Sequence, residues 1–195
     1  MKFYHKVGRD CQVLFKYIWQ RAMERRTIND YSRPVFLWAD EAHNFLHEHD
    51  TDFQTTARES RVATVYISQN LSNYFANMGG GNKTEHKVKS FLGTLATKIF
   101  HANADNADTN RYASDLIGEA YRKEESRGTS LGESIGMSYN ESFKLVKMVR
   151  PEEFVKLKSG GPRNNYKVEA YIHCQALAFP SGFHHQQVIF QQTKK

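Results

Sequence analysis

The sequence predicts an α/β fold built around a mainly parallel central sheet, and three features carry that expectation. Val35–Ala39 reads V-F-L-W-A, five apolar residues in a row. Such a run suits a strand covered on both faces, as parallel strands are. Ala63–Ile67 is a second apolar run, and like the first it stops at polar side chains. Segments of helical character precede both runs, which gives the helix–turn–strand alternation of layered α/β domains.

The elements follow in order. Cys11–Arg26 has the pattern of an amphipathic helix with Leu14, Tyr17, Ile18, Ala22 and Met23 on one stripe, the stripe that should face a core. Asn29, Asp30, Ser32 and Pro34 supply a turn into the first strand. Asn44–Asp52 is rich in His and acid, and a short helix is expected to end near Ser60. Asn70–Lys83, with Gly79, Gly80 and Gly81, reads as a loop. His86–Leu95 reads as a helix, Thr97–His101 as a third strand, and Asp108–Ile117 as a helix stopped by Gly118.

Residues 119–142 are polar, with Ser126, Ser130, Ser134, Ser138 and Ser142 spaced along them. That composition reads as a flexible linker. Pro151, followed by Glu152 and Glu153, opens a short helix with the charge bias of a helix start. Lys167–His173 alternates like a strand, and residues 180–195 are expected to add an edge strand and a basic tail.

At 195 residues, with 39% hydrophobic and 25% charged residues, the chain can form one domain with a full core. No run of about eighteen apolar residues occurs, which excludes a spanning helix. The first ten residues lack the apolar centre of a signal peptide. Cys11 and Cys174 have no C-x-x-C spacing, so both read as free thiols in a reducing cytosol. The net charge of +6 is concentrated toward the ends. Basic ends around an acidic centre fit contact with nucleic acid as well as ordinary solvated faces.

Asp40 and Glu41 close the first apolar run. In nucleotide hydrolases a buried strand ending in Asp-Glu, the Walker B motif, holds Mg²⁺ with the first carboxylate and activates the attacking water with the second. The same two residues also suit an acidic helix start. Neighbouring parallel strands lie about 5 Å apart, so Ser68 and Gln69, at the end of the second run, should emerge beside the carboxylates. Arg58, in the intervening segment, has the side chain needed to reach a neighbour's phosphate.

Other chemistry is weaker. His43, His47, His49 and Asp50 invite a metal reading, but H-E-x-x-H is not spelled, and a solvated polar loop accounts for them. His184 and His185 read the same way. Tyr66, Tyr74 and Phe75 could stack on bases, though packing explains them equally. Asp40-Glu41-Ala42-His43 spells a DEAH box, yet Ser68-Gln69-Asn70 stands where a helicase carries Ser-Ala-Thr.

Several stretches resemble the C-terminal half of the motor domain of TraG/TraD-like coupling proteins of conjugative type IV secretion, within the FtsK/HerA group of translocases. They are V-F-L-W-A-D-E-A from Val35, T-A-R-E-S-R-V-A-T-V-Y-I-S-Q-N-L-S from Thr56, L-G-T-L-A-T-K-I-F from Leu92, N-R-Y-A-S-D-L-I-G-E to Glu119, and R-P-E-E-F from Arg150. The resemblance implies a single partial domain over 1–195, a RecA-like three-layer sandwich lacking its Walker A half. It implies Asp40 as the Mg²⁺-associated acid, Glu41 as general base, Gln69 as strand-end sensor beside the nucleotide, and Arg58 as a finger at a subunit boundary. It further implies ATP and Mg²⁺ as cofactors of the full-length protein, a hexameric ring on single-stranded DNA, and relaxosome and secretion-channel proteins as partners. The location would be the cytoplasm, at the inner face of the membrane. No G-x-x-x-x-G-K-[ST] occurs, so the expectation is a fragment, or a truncated reading frame, that binds nucleotide weakly and does not hydrolyse it alone. A non-catalytic module binding relaxosome proteins or DNA is the alternative.

Overall fold

The computed structural model describes residues 5–47, 49–78, 82–131 and 135–193, with side chains for all of these except residues 5, 82–83 and 126–140. The chain is mixed α/β and forms two compact units, residues 1–98 and 99–195, where the sequence suggested a single partial domain.

The first unit runs α1 (His5–Glu24), β1 (Val35–Ala39), α2 (His49–Thr56), β2 (Val62–Tyr66), α3 (Leu71–Asn77) and α4 (Asn82–Thr94). β1 and β2 pair in parallel, from Val35 opposite Val62 to Ala39 opposite Tyr66. Phe53, Ala57 and Val62 form a core walled by Trp19, Met23 and Val35, with Trp19 edge-on to Phe53 at 5.9 Å.

Three expectations are corrected here. β1 is covered on one face only: Phe36 is 58% and Trp38 68% exposed, while Val35 packs on the core. An unbroken apolar run therefore does not signal two covered faces in this chain. The α1 stripe is only partly the inward face: Met23 packs on the core, but Leu14 and Ile18 are exposed and Lys16 and Gln20 are buried. The reason is a polar partner: the side chains of Lys16 and Gln20 both bond the buried Asp50. Finally, the loop expected over Asn70–Lys83 contains α3, started by Asn70, whose side chain accepts from the Asn73 N–H at 2.8 Å. Gly79–Gly81 fall outside the described residues.

β3 (Thr97–His101) straddles the division between the units and forms a three-stranded sheet, in the order β3-β6-β7, with β6 (Lys167–Cys174) and β7 (His185–Gln191). The second unit also holds α5 (Thr109–Ile117), β4 (Glu119–Leu131), β5 (Ile135–Lys147) and α6 (Pro151–Val155). Its core is Ala113, Ile117, Val149, Phe154 and Leu157. Gly118 ends α5 at φ 93°, where a side chain would be strained. The buried Ser114 hydroxyl donates to the Val149 carbonyl at 2.6 Å.

Residues 119–142 are not a linker. β4 and β5 are thirteen residues each and pair antiparallel from Glu119–Lys147 to Leu131–Ile135. Backbone pairing, which composition does not report, orders this polar stretch. β6 and β7 are likewise antiparallel. The mainly parallel central sheet is thus replaced by three small sheets, of which β1–β2 is a parallel pair. Among the described residues no helix is long and apolar enough to cross a membrane.

Candidate functional site

The β1–β2 register brings the carboxyl ends of two parallel strands together, and the backbone continues the pairing past both ends. The Ile67 N–H donates to the Ala39 carbonyl at 2.8 Å, and the Ala42 N–H donates to the Ile67 carbonyl at 2.9 Å. Asp40 and Glu41 therefore emerge beside Ser68 and Gln69. Glu41 turns the chain sharply in the left-handed region, at φ 50° and ψ 40°, into a 3-10 turn over Ala42–Asn44. A non-glycine residue pays about 1–3 kcal/mol for such a conformation. The Asp40 carboxylate steadies it by accepting from the Glu41 N–H through Oδ1 at 2.9 Å.

The Glu41 carboxylate is gripped from two sides. Gln69 Nε2 donates to Oε1 at 2.9 Å, and His43 Nε2 lies 3.4 Å from Oε2. The His43 ring is buried. Its Nδ1 is 3.0 Å from Ser68 Oγ, and its face meets Tyr74 edge-on at 6.1 Å. Burial pushes the Tyr74 phenol up to about 12, against a lowering hydrogen bond from Ser68.

The structure thus joins three of the four residues singled out in the sequence. Arg58 is the exception: it is exposed, in the turn between α2 and β2, and its carbonyl accepts from the Arg61 N–H. β2 lies between it and Gln69. Five residues of strand at about 3.3 Å each put roughly 15 Å between Arg58 and the carboxylates, so it belongs to the opposite end of this sheet.

Sequence reasoning missed a second carboxylate. Asp50 is fully buried and takes bonds from the Lys16 ammonium, Gln20 Nε2 at 2.7 Å, the His47 N–H at 2.7 Å and the Tyr66 hydroxyl at 3.3 Å. Lys16 also donates to the Phe45 carbonyl at 2.6 Å. Burial pushes the Lys16 pKa down, with Asp50 pulling it up, and burial pushes the Tyr66 phenol well above its ordinary range. The available signal was Lys16 and Gln20 four apart on one helix face, a polar pair in the mainly apolar stretch 13–20 of the helix.

With its oxygens so committed, Asp50 is not a metal ligand beside His43, His47 and His49. Among the described residues, no group of three or more His, Cys, Asp or Glu side chains is placed to hold a metal. Asp40 differs. It is exposed, it borders an open cleft of about 520 Å³ that Trp19, Leu37 and Trp38 also line, and its own bond occupies Oδ1 alone. A lone carboxylate of this kind suits Mg²⁺, which binds through one or two carboxylates with water and phosphate oxygens completing the shell. Glu41 is partly exposed, bonded by Gln69 at Oε1 and faced by His43 at Oε2.

A family model described as the TraM recognition site of TraD and TraG matches residues 34–159. No curated protein matches the chain. Among solved structures, the chain resembles the bacterial conjugative coupling protein TrwBdeltaN70 in its unbound monoclinic form, with a TM-score of 0.59 and 15% identity over 91% of this chain. The chain spans 36% of that structure's length, and at this identity the likeness concerns the fold. The matched segment runs from just before β1 to just beyond α6 and includes all of Asp40, Glu41, Arg58 and Gln69. The chain belongs to the family of TraG- and TraD-like proteins defined by the TraM recognition site.

Proposed function

We propose that this chain contributes the acidic rim of an ATP-hydrolysing site to a conjugative coupling protein, in a longer polypeptide or assembly that brings the glycine-rich phosphate loop. In this reading Asp40 is the Mg²⁺-associated acid, Glu41 the general base and Gln69 the sensor at the end of the neighbouring strand. Bound ATP and Mg²⁺ supply the γ-phosphate and its charge neutralisation, while the chain's own residues orient water and take its proton. The observation that carries the reading is the bond from Gln69 Nε2 to Glu41 Oε1 at 2.9 Å, across the carboxyl ends of two parallel strands. Ligands of open α/β sheets sit at such strand ends.

Arg58, at the other end of β2, is proposed to act on the site of an adjacent subunit. The complete motor would be a RecA-like ring that moves single-stranded DNA at the cytoplasmic face of the membrane and delivers it to secretion-channel proteins. A second reading has its own support. The family description names a recognition site for TraM, and a chain that binds a relaxosome protein without hydrolysis satisfies that description.

The test is ATP turnover by a longer protein that carries both the phosphate loop and this segment. Glu41→Gln should lower turnover by about 10²-fold or more, with ATP binding retained. Undiminished turnover refutes the hydrolytic role and leaves the recognition module. Arg58→Ala in the same assay should slow the assembled ring, and unchanged turnover there removes Arg58 from the mechanism.

A further inference from the structure

His43 is buried and touches both loops of the rim. It lies two residues beyond Glu41 on the β1 side, and its Nδ1 reaches Ser68 Oγ on the β2 side at 3.0 Å. Its Nε2 faces Glu41 Oε2 at 3.4 Å, while Glu41 Oε1 is held by Gln69. Ser68 and Gln69 are adjacent in sequence. The four side chains therefore close a loop that crosses from one strand end to the other twice.

We infer that His43 is a positioning residue that locks the Glu41 carboxylate to the end of β2 through Ser68. The inference deepens the hydrolytic reading and rests on it. One tautomer suits both contacts: Nδ1 accepts the Ser68 hydroxyl proton, and Nε2–H is turned toward Glu41 Oε2, 3.4 Å away at ion-pair distance. The hydroxyl has an alternative acceptor in the Asn70 carbonyl at 3.2 Å, so the lock can open at Ser68 without unfolding the turn. A carboxylate held through one oxygen can swing about that bond. Bonded at one oxygen and faced by a buried imidazole at the other, it has a preferred direction toward water, which is what a general base requires. Tyr74 packs against the ring in a T-shaped contact at 6.1 Å.

Substituents separate the two ends of the imidazole. Asparagine reproduces the atom facing Ser68 but not the one facing Glu41, whereas glutamine extends a donor to the Nε2 position. The first measurement needs no nucleotide. In nitrogen-15 NMR of the 195-residue chain, His43 should carry its proton on Nε2. The Gln69 side-chain amide signals should shift and exchange faster with solvent in His43→Asn, and return toward their original positions in His43→Gln. Should His43→Asn not fold, Ser68→Ala keeps the imidazole and removes its anchor, and the same Gln69 signals should shift. Unmoved Gln69 signals in every folded variant, or a proton found on Nδ1 alone, overturn the lock.

The catalytic consequence is read separately, in the longer protein. His43→Asn should lower kcat about tenfold with little change in KM, as the loss of one orienting polar contact does, and His43→Gln should restore most of it. If the NMR result holds while Glu41→Gln leaves turnover intact, the hydrolytic reading fails and the lock stands. If Glu41→Gln abolishes turnover while Gln69 ignores His43, the lock fails alone.

Discussion

Two carboxylates in the first unit sit within one short stretch of chain and are treated in opposite ways. Asp50 is sealed from water, and four donors from two elements and a loop converge on it. Glu41 stands at a strand end with 44% of its side chain exposed, and two polar groups aim it without enclosing it. A charge with every lone pair taken inside the protein can organise a fold but has nothing left for a substrate. A charge that is oriented yet open to solvent contributes little to folding and can meet water, a cation or a phosphate. The contrast fits Asp50 to architecture and leaves Glu41 open to the chemistry proposed for it, although as sequence both are acids close to histidines.

The largest expected effect breaks the buried member. Asp50→Ala removes the common acceptor of α1, the turn after β1, and β2, and leaves the Lys16 ammonium buried without its counter-ion. Removing one partner of such a pair typically costs about 3–5 kcal/mol, which is a large part of the stability of a small unit. Urea unfolding followed by Trp19 and Trp38 fluorescence checks it. A loss below about 1 kcal/mol would mean that the network is ornamental.

The contrast also shows how far the chain could be read in advance. β1, β3, the Gly118 stop and the start of α6 were legible because their signals are local: an apolar run, a glycine at φ 93°, a proline followed by two acids. The rim was legible for the same reason, since strand ends fix what lies beside them. α1 was legible as a helix but not in its facing. Lys16 lies 34 residues from Asp50, and no periodicity within the helix reports a partner that remote. β4 and β5 escaped because a paired ribbon draws on backbone bonds, and its polar, serine-spaced sequence carries no buried face to betray it. Arg58 reads as a finger reaching a neighbouring subunit's phosphate, and its place along the sheet was not legible. It lies before β2 rather than after it, which puts a whole strand between it and the carboxylates.

A middle-sized effect sharpens the account of Asp50. Lys16→Met keeps the packing of the stem and leaves Asp50 with Gln20, His47 and Tyr66 as donors, so the loss should be smaller, about 1–3 kcal/mol at neutral pH. Its pH dependence is more telling. Burial lowers the folded-state pKa of Lys16 below the ordinary lysine value of 10.5, with Asp50 opposing. Between the lowered value and the ordinary one, the unfolded chain binds more protons than the folded one, so this group makes stability rise with pH across that window. Lys16→Met should remove that rise. Unfolding free energies at pH 8, 9 and 10 for both proteins test the sign, and an unchanged slope would show that Lys16 is not what titrates.

The smallest expected effect completes the comparison from the open side. Glu41→Gln is isosteric, keeps an oxygen for Gln69 Nε2 and can still face His43, and its position lets water solvate whatever it loses. Exposed pairs of this kind contribute between about 0 and 1 kcal/mol, so the substitution should leave unfolding in urea within about 0.5 kcal/mol of the parent. That near-null result has force because the same substitution is the one expected to abolish turnover in the longer protein. A residue whose change costs activity but not stability is held in place for chemistry. A loss of 2 kcal/mol or more would instead make Glu41 a second Asp50, a fastener for the turn between β1 and α2, and the rim would lose its claim to a substrate.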